Sequence, residues 1–122
     1  MSRETRKKFQ ENTDEQAAVF GVLADPTRLK LLKLLCRQRD SDTLCVNALA
    51  GLLGVTQSAV SQHLRVLRAA GLVKGERRGY HVHYFVNPDM LEKCRRLTSV
   101  VLSIAKPSQD ESCQAYCPER SK

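Results

Sequence analysis

Apolar residues recur at helical spacing along most of the chain, beginning with residues 14–24, DEQAAVFGVLA. Asp25 and Pro26 then provide an N-cap followed by proline at the first helical position. The segment that follows, TRLKLLKLLCRQ, places leucines on one side and basic residues on the other. The apolar stripe of this helix is predicted to comprise Leu29, Leu32 and Leu35. The pattern thus predicts two helices before the polar loop at 38–43.

Two further helices are predicted after that loop, a short one at about 46–53 and a longer one beginning TQSAVSQHL. Gly54 between them suits the left-handed backbone conformation that ends a helix. Thr56 is a suitable N-cap for the longer helix, and Gly71 is a suitable stop signal. The buried stripe of the longer helix is predicted to comprise Val60, Leu64 and Leu67. This pair has the outline of a helix-turn-helix.

From residue 72 the apolar spacing changes to that of β-strands. The segment LVKGERRGYHVHYFVN indicates two strands around a turn near Arg78-Gly79. In the second strand three residues point one way and three the other, and neither set is purely apolar, so both faces are expected to be partly covered. The two sets are Tyr80, Val82 and Tyr84, and His81, His83 and Phe85.

A last helix is predicted to open at Pro88-Asp89 and to end at Pro107. Its apolar positions are Leu91, Leu97, Val101 and Ile104. The polar segment beyond it is expected to be a mobile tail. We therefore predict a folded domain at 1–106 and a flexible, cysteine-containing tail at 107–122. The fold class is mainly α with a two-stranded β wing, a winged helix-turn-helix.

Charge narrows the functions open to this fold. The chain of 122 residues has a formal net charge of +7, which indicates a polyanionic partner. An anionic membrane surface is less favoured than nucleic acid, because the basic residues cluster on the reading helix and the hairpin. No apolar run approaches the ~20 residues that span a bilayer. The charged N-terminus has no apolar stretch behind it, so a cytoplasmic location is expected.

The polar faces of the longer helix and the hairpin hold the candidate DNA contacts. The second helix of a helix-turn-helix presents its N-terminal residues to base edges in the major groove. Small polar side chains suit bases and phosphates, and arginines suit phosphates. A basic hairpin with glycines can reach the backbone or the minor groove. The candidates are Thr56, Gln57, Ser58, Ser61, Gln62, His63, Arg65, Arg68, Lys74, Arg77 and Arg78.

The three histidines are weaker candidates. His63 is expected to face DNA or solvent. His81 and His83 are expected to be structural or to contact phosphate.

Over residues ~17–104 the chain resembles the ArsR/SmtB family of bacterial metal-sensing repressors. ADPTRLKLLKLL at 24–35 is similar to the family's segment before the helix-turn-helix, and TQSAVSQHL is similar to its serine-rich recognition motif. The resemblance implies a homodimer that binds double-stranded operator DNA and leaves it when an effector binds. It also implies that the outer helices, 3–23 and 89–105, form the dimer interface.

Two effector sites of that family are incomplete in this chain. The arsenic and cadmium pattern E-L-C-V-C-D-L corresponds to TLCVNAL at 43–49. Cys45 matches the first thiol, but Asn47 replaces the second and Ala48 replaces the acid. The zinc-type pattern of the last helix, D-x-H followed by H-x-x-E, is absent because no histidine follows His83.

Five cysteines remain to be explained, and their odd number argues against a disulfide scaffold. Cys113 and Cys117 could bind one thiophilic ion together if the tail forms a helical turn. A third sulfur could come from Cys45 or Cys94, of the same or the partner subunit. These four are the candidate ligands for As(III) or a soft divalent ion, and no other cofactor is expected. Cys36 follows LLKLL and is predicted to be a small buried hydrophobe.

Other interpretations of the cysteines stay open. Thiols near basic residues, such as Cys94 beside Arg95 and Arg96 or Cys117 near Arg120, could form a redox or persulfide switch. The chain could also be a constitutive DNA-binding module with incidental cysteines. An enzyme is not expected, because the sequence lacks C-x-x-C, a βαβ pattern and a nucleophile with an orienting base.

Overall fold

The structure, a computed structural model, describes residue 3 and residues 12–39, 42–104 and 113–117. Two antiparallel strands lie between the fourth and fifth helices of this part of the chain. The elements are α1 (Thr13–Leu23), α2 (Pro26–Arg37), α3 (Val46–Leu53), α4 (Gln57–Ala69), β1 (Val73–Arg78), β2 (His81–Val86), α5 (Pro88–Leu102) and α6 (Cys113–Tyr116). The predicted fold, mainly α with a two-stranded wing after a helix-turn-helix, is confirmed.

The ends of the helices follow the chemistry of a few residues. The Asp25 carboxylate accepts hydrogen bonds of 2.9 and 3.0 Å from the backbone N–H groups two and three residues further on, and thereby starts α2. The Thr56 hydroxyl accepts one of 3.1 Å from the N–H of Ala59 and starts α4. Gly54 ends α3 with φ 66°, and Gly71 follows α4 with φ 79°. All four predictions from the sequence are confirmed.

Both outer helices are shorter than predicted. Asn12 has φ 66°, a left-handed conformation that an α-helix cannot continue through, so α1 begins at Thr13 and not at residue 3. Residues 4–11 lie outside the described residues. α5 ends at Leu102, because Ser103 is extended with ψ 133°. The prediction that Pro107 ends this helix is therefore wrong, and Pro107 itself lies outside the described residues.

The core is aliphatic and lies where α2, α3 and α4 meet the start of β1. Its fully buried side chains are Val60, Leu31, Leu35, Leu49, Leu64, Leu67 and Leu72. The predicted stripe of α4 is confirmed. The predicted stripe of α2 is partly wrong, because Leu31 is buried while Leu29 is exposed. The dense leucine run of α2 offers more than one stripe, and packing against α3 and α4 selects the one with Leu31 and Leu35.

The wing is fastened to the segment that follows α2. β1 and β2 pair in register from Val73 opposite Val86 to Arg78 opposite His81. The Gln38 side-chain amide donates to the carbonyl of Tyr84 at 2.5 Å, and its oxygen accepts from the N–H of Leu44 at 3.0 Å. Gln38 thus fixes the hairpin to the body of the domain.

No helix in the described parts of the chain is long and apolar enough to cross a membrane.

Candidate nucleic-acid interface and cysteine sites

α4 divides its side chains between the core and the surface. Three aliphatic residues face α2 and α3, and the polar residues on the remaining faces are exposed. The exposed set is Gln57, Ser58, Ser61, Gln62, Arg65 and Arg68, with Thr56 exposed at the N-cap. Thr56, Gln57 and Ser58 stand at the N-terminus of α4, where the backbone dipole favours an anion. Arg65 and Arg68 lie in the second half of the helix. The arrangement can present donors and acceptors to base edges and positive charge to phosphates.

His63 is placed differently from its neighbours on α4. It is half-buried, and its Nδ1 lies 3.3 Å from Nη1 of Arg28, while its Nε2 lies 4.0 Å from the Asp25 carboxylate. The expectation that His63 is a surface residue is therefore corrected, because its ring is half-buried against the first turn of α2. A DNA contact by His63 stays a prediction. The contact between His63 and Arg28 has no local signal in the sequence, since the two residues are 35 positions apart. The sequence predicts Asp25 only as an N-cap, and it predicts no role for Arg28.

The basic residues of the wing are exposed but differ in how they are held. Lys74 lies opposite Phe85, next to the base of the hairpin. Arg77 lies opposite Val82, nearer the tip. Arg78 lies at the tip, where it also contacts the protein.

Three groups restrain the Arg78 side chain. Its guanidinium carbon lies 4.9 Å from the centre of the Phe85 ring, and its Nη1 donates to the Thr43 hydroxyl at 3.3 Å. Its Nε lies 3.7 Å from the Glu76 carboxylate. The Thr43 hydroxyl is also 2.5 Å from Nδ1 of His83, which supports the structural interpretation of that histidine.

Cys45 lies in a cleft between the helix-turn-helix and the wing. It is the N-cap residue of α3, is half-buried, and its backbone pairs with that of His83. The cleft has a volume of about 290 Å³, and its lining includes the first residue of α4. The lining residues are Cys45, Val46, Asn47, Gln57, Tyr80, His81, Val82 and Tyr84.

Cys94 is buried between α1 and α5, beside a mostly apolar groove of about 340 Å³. Burial raises the pKa of the Cys94 thiol, and the charge of Lys93 opposes this only in part. Burial therefore opposes the activation of the Cys94 thiol by neighbouring arginines. Arg95 is engaged with the Glu92 carboxylate, at 2.6 and 2.9 Å. The arginine charge is thus directed at Glu92.

Cys113 and Cys117 meet the condition set by the sequence, because the tail forms a helical turn at Cys113–Tyr116. The N–H of Cys117 donates to the carbonyl of Cys113 at 2.7 Å, and both residues are exposed. Cys36 is also exposed, contrary to the prediction that it is buried, although partial desolvation raises its pKa. Within the described ranges, no three His, Cys, Asp or Glu side chains come together as a metal site.

Comparison with known proteins agrees with this geometry. Residues 25–74, from the cap of α2 to β1, match the family described as bacterial regulatory protein, arsR family. A solved structure described as a possible transcriptional regulator for arsenical resistance superposes with a TM-score of 0.62 and 37% identity, covering 70% of this chain and 85% of that one.

Two relatives differ in how much of their length is matched. The chain is 45% identical over 74 residues to a transcriptional repressor SmtB homolog of Synechocystis sp., which is 61% of this chain but 53% of that protein. It thus spans about half the length of that relative. It is 32% identical over 87 residues to an HTH-type transcriptional regulator of Methanocaldococcus jannaschii, covering 71% of this chain and 94% of that one. The chain belongs to the arsR family of bacterial regulatory proteins, which are transcription regulators and not enzymes.

Proposed function

We propose that the protein is a dimeric transcriptional repressor that binds operator DNA and is released when a thiophilic effector binds its cysteines. The observation that carries DNA binding is the row of exposed polar side chains on α4 next to an exposed basic wing. The net charge of +7 favours approach to a polyanion. The relative named as a repressor supports repression as the outcome of binding.

Individual roles follow from chemistry and position. We assign base reading to the residues in the first turns of α4, because a recognition helix enters the major groove with its N-terminal end. We assign phosphate contacts to Arg65 and Arg68 further along the helix, and to Lys74 and Arg77 on the wing. Arg78 is a weaker candidate, because Phe85 and Thr43 already engage it.

We further propose that two copies associate through α1 and the C-terminal half of α5. The residues Val100, Leu102 and Ile104 are 67%, 73% and 103% exposed. Phe20 on α1 is 37% exposed. A cluster of large apolar side chains at the surface is costly unless a partner covers it. A twofold dimer would cover the same patch on each copy.

The effector is the least constrained part of the proposal. Exposed cysteines one helical turn apart suit a thiophilic ion, and As(III) favours three sulfur ligands. Cys94 and Cys45 are the remaining candidates for a third sulfur. Because the described residues of one chain do not form a three-ligand cluster, we propose that the third ligand comes from the partner subunit. The structural relative named for arsenical resistance supports arsenite as the first effector to test.

This proposal keeps the division into a DNA-binding and dimerisation domain at 1–106 and a sensing tail at 107–122, acting in the cytoplasm. The test begins with a duplex selected by the reduced wild-type protein from a random DNA pool. Its affinity is measured as arsenite, cadmium, zinc or a persulfide donor is added separately. The double variant Cys113→Ser, Cys117→Ser is compared with Cys36→Ser, which removes an exposed thiol outside the proposed site.

The expected result is release by arsenite or a soft metal ion in wild type and in Cys36→Ser, but not in the double variant. Release only by the persulfide donor, reversed by a dithiol reductant, would replace the metal effector by a redox switch. Release by none of the four would leave a constitutive DNA-binding protein. Failure to select any duplex would contradict DNA binding itself.

A further inference from the structure

Arg28, in the first turn of α2, connects three helices. Its Nε donates to the carbonyl of Val22 at 2.6 Å, and its Nη2 donates to that of Gly21 at 3.5 Å, both in the last turn of α1. Its Nη1 lies 3.3 Å from Nδ1 of His63, in the middle of α4. One half-buried guanidinium therefore joins the end of α1 to the recognition helix.

The chemistry of the partners fits this arrangement. The last carbonyl groups of a helix lack partners within the helix and carry partial negative charge, which a guanidinium satisfies. Arginine has only donors, so Nδ1 of His63 must be the acceptor. The ring proton is then on Nε2, facing the Asp25 carboxylate 4.0 Å away. The Asp25 carboxylate also accepts the backbone N–H of Arg28, so it lies between the start of α2 and the His63 ring.

α1 and α4 have different main packing partners among the described elements. α1 packs mainly against α2 and α5, whereas α4 packs mainly against α2, α3 and β1. Arg28 spans the gap between the two helices from the first turn of α2. We propose that Arg28 is a positioning residue for DNA binding, which fixes the orientation of α4 relative to α1. This inference rests on the proposed function, in which α4 reads DNA and α1 belongs to the dimer.

A positioning role differs in measurable ways from two simpler ones. If Arg28 contacted a phosphate, lysine would keep much of the affinity, and removing the charge would lower the salt dependence of binding by about one ion. If Arg28 only stabilised the fold, its loss would lower the free energy of unfolding without changing the affinity of the folded protein. The contacts of Arg28 with both α1 and α4 require the forked geometry of its guanidinium group. Lysine should therefore fail to restore DNA affinity, although it keeps the charge.

The experiment compares Arg28→Lys, His63→Leu and their combination with wild type, using the DNA duplex that wild type selects. Arg37→Lys is the matched control, because Arg37 is an exposed arginine at the opposite end of α2. Affinity is measured over a series of salt concentrations, and stability by urea unfolding. We expect Arg28→Lys and His63→Leu each to weaken binding on the order of tenfold, with an unchanged salt slope. The DNA affinity of the combined variant should equal that of the single variant that binds DNA more weakly, because both changes break the same contact.

Wild-type affinity in Arg28→Lys would overturn the proposal, as would losses that multiply in the combined variant. A lower salt slope in a further variant, Arg28→Gln, would make Arg28 a phosphate contact and overturn it too. If wild type binds no DNA, the proposed function fails separately. The contact of Arg28 with α1 and α4 is then tested by amide hydrogen exchange of α4 in the free protein. Faster exchange in Arg28→Lys than in wild type and Arg37→Lys supports it, and equal exchange in all three overturns it.

Discussion

The helices α4 and α5 are both amphipathic and of similar length, 13 and 15 residues, but the described residues bury the apolar stripe of α4 more completely than that of α5. Val60, Leu64 and Leu67 of α4 are at most 1% exposed. α5 buries Cys94 and Leu97 near its middle, but its last turn carries an exposed valine pair and Leu102. The same pattern of apolar spacing thus ends in two environments.

The difference indicates what each helix presents to a partner. α4 is fixed by the core, so its exposed side is free to carry amides, hydroxyls and guanidinium groups for a polar ligand. The second half of α5 presents apolar side chains, whose burial contributes about 1.5–3 kcal/mol each only when another surface covers them. We infer that one chain buries the apolar side of the helix that we propose reads DNA. The same chain leaves exposed the apolar side of the helix that we propose forms the dimer.

The largest effect is expected from truncating one leucine in each helix, Leu64→Ala in α4 and Leu102→Ala in α5. Leu64→Ala should lower the free energy of unfolding by about 2–5 kcal/mol, because it leaves a cavity in a closed core. Leu102→Ala should change it by less than about 0.5 kcal/mol at protein concentrations too low for association. Urea unfolding measures both, and equal losses would contradict the contrast between the two helices.

The next test concerns association directly. Leu102→Glu places a charge in the exposed patch of α5, and we expect it to raise the dimer dissociation constant at least about tenfold, from lost apolar burial alone. Sedimentation equilibrium over a range of concentrations measures this constant. Val66→Glu is the control, because Val66 is 38% exposed and belongs to α4, which is neither of the two helices of the proposed interface. If both variants associate like wild type, the dimer does not use this patch.

The comparison also separates what could be predicted from the sequence from what could not. Asp25, Gly54, Thr56 and Gly71 act through their own backbone or the next few residues, so local chemistry was enough to find them. The buried stripe of α4 was predicted because only one face of that helix is apolar.

Other features depend on contacts between distant segments. In α2 almost every second residue is a leucine, and only packing against other helices decides that Leu31 is inside and Leu29 outside. For the same reason Cys36 was wrongly predicted to be buried. The contact of His63 with Arg28 has no local signal, since no periodicity connects residues 35 positions apart.

A smaller effect is expected at the turn that sets the angle between α3 and α4. Gly54 has φ 66° with open space around its Cα, so Gly54→Ala should cost about 1–2 kcal/mol from backbone strain alone. Gly51 also has open space but lies within α3, so Gly51→Ala should instead stabilise by about 0.5–1 kcal/mol. The opposite signs are measured by thermal or urea unfolding. Destabilisation by both would mean that crowding, not φ, determines the cost.

The smallest expected effect concerns the Asp25 carboxylate, which faces His63 of α4. The pKa of Asp25 is lowered, first by the hydrogen bond from the backbone N–H of Arg28; desolvation opposes this shift, and the charge of Arg28 and the backbone N–H of Thr27 add to it. A carboxyl whose folded-state pKa is lowered contributes stability above its unfolded pKa of about 4 and loses it as pH falls through the folded value.

Asp25→Asn keeps an N-cap but cannot ionise, so its stability should depend less on pH below about 4 than that of wild type. Urea midpoints measured from pH 5 to pH 2 provide the comparison. Asp14→Asn is the control, because Asp14 is an exposed acid in the first turn of α1. If the three proteins lose stability in parallel, the carboxylate of Asp25 does not hold α2 and α4 together through its charge. The anchoring of α4 would then depend on the hydrogen bond between Arg28 and His63.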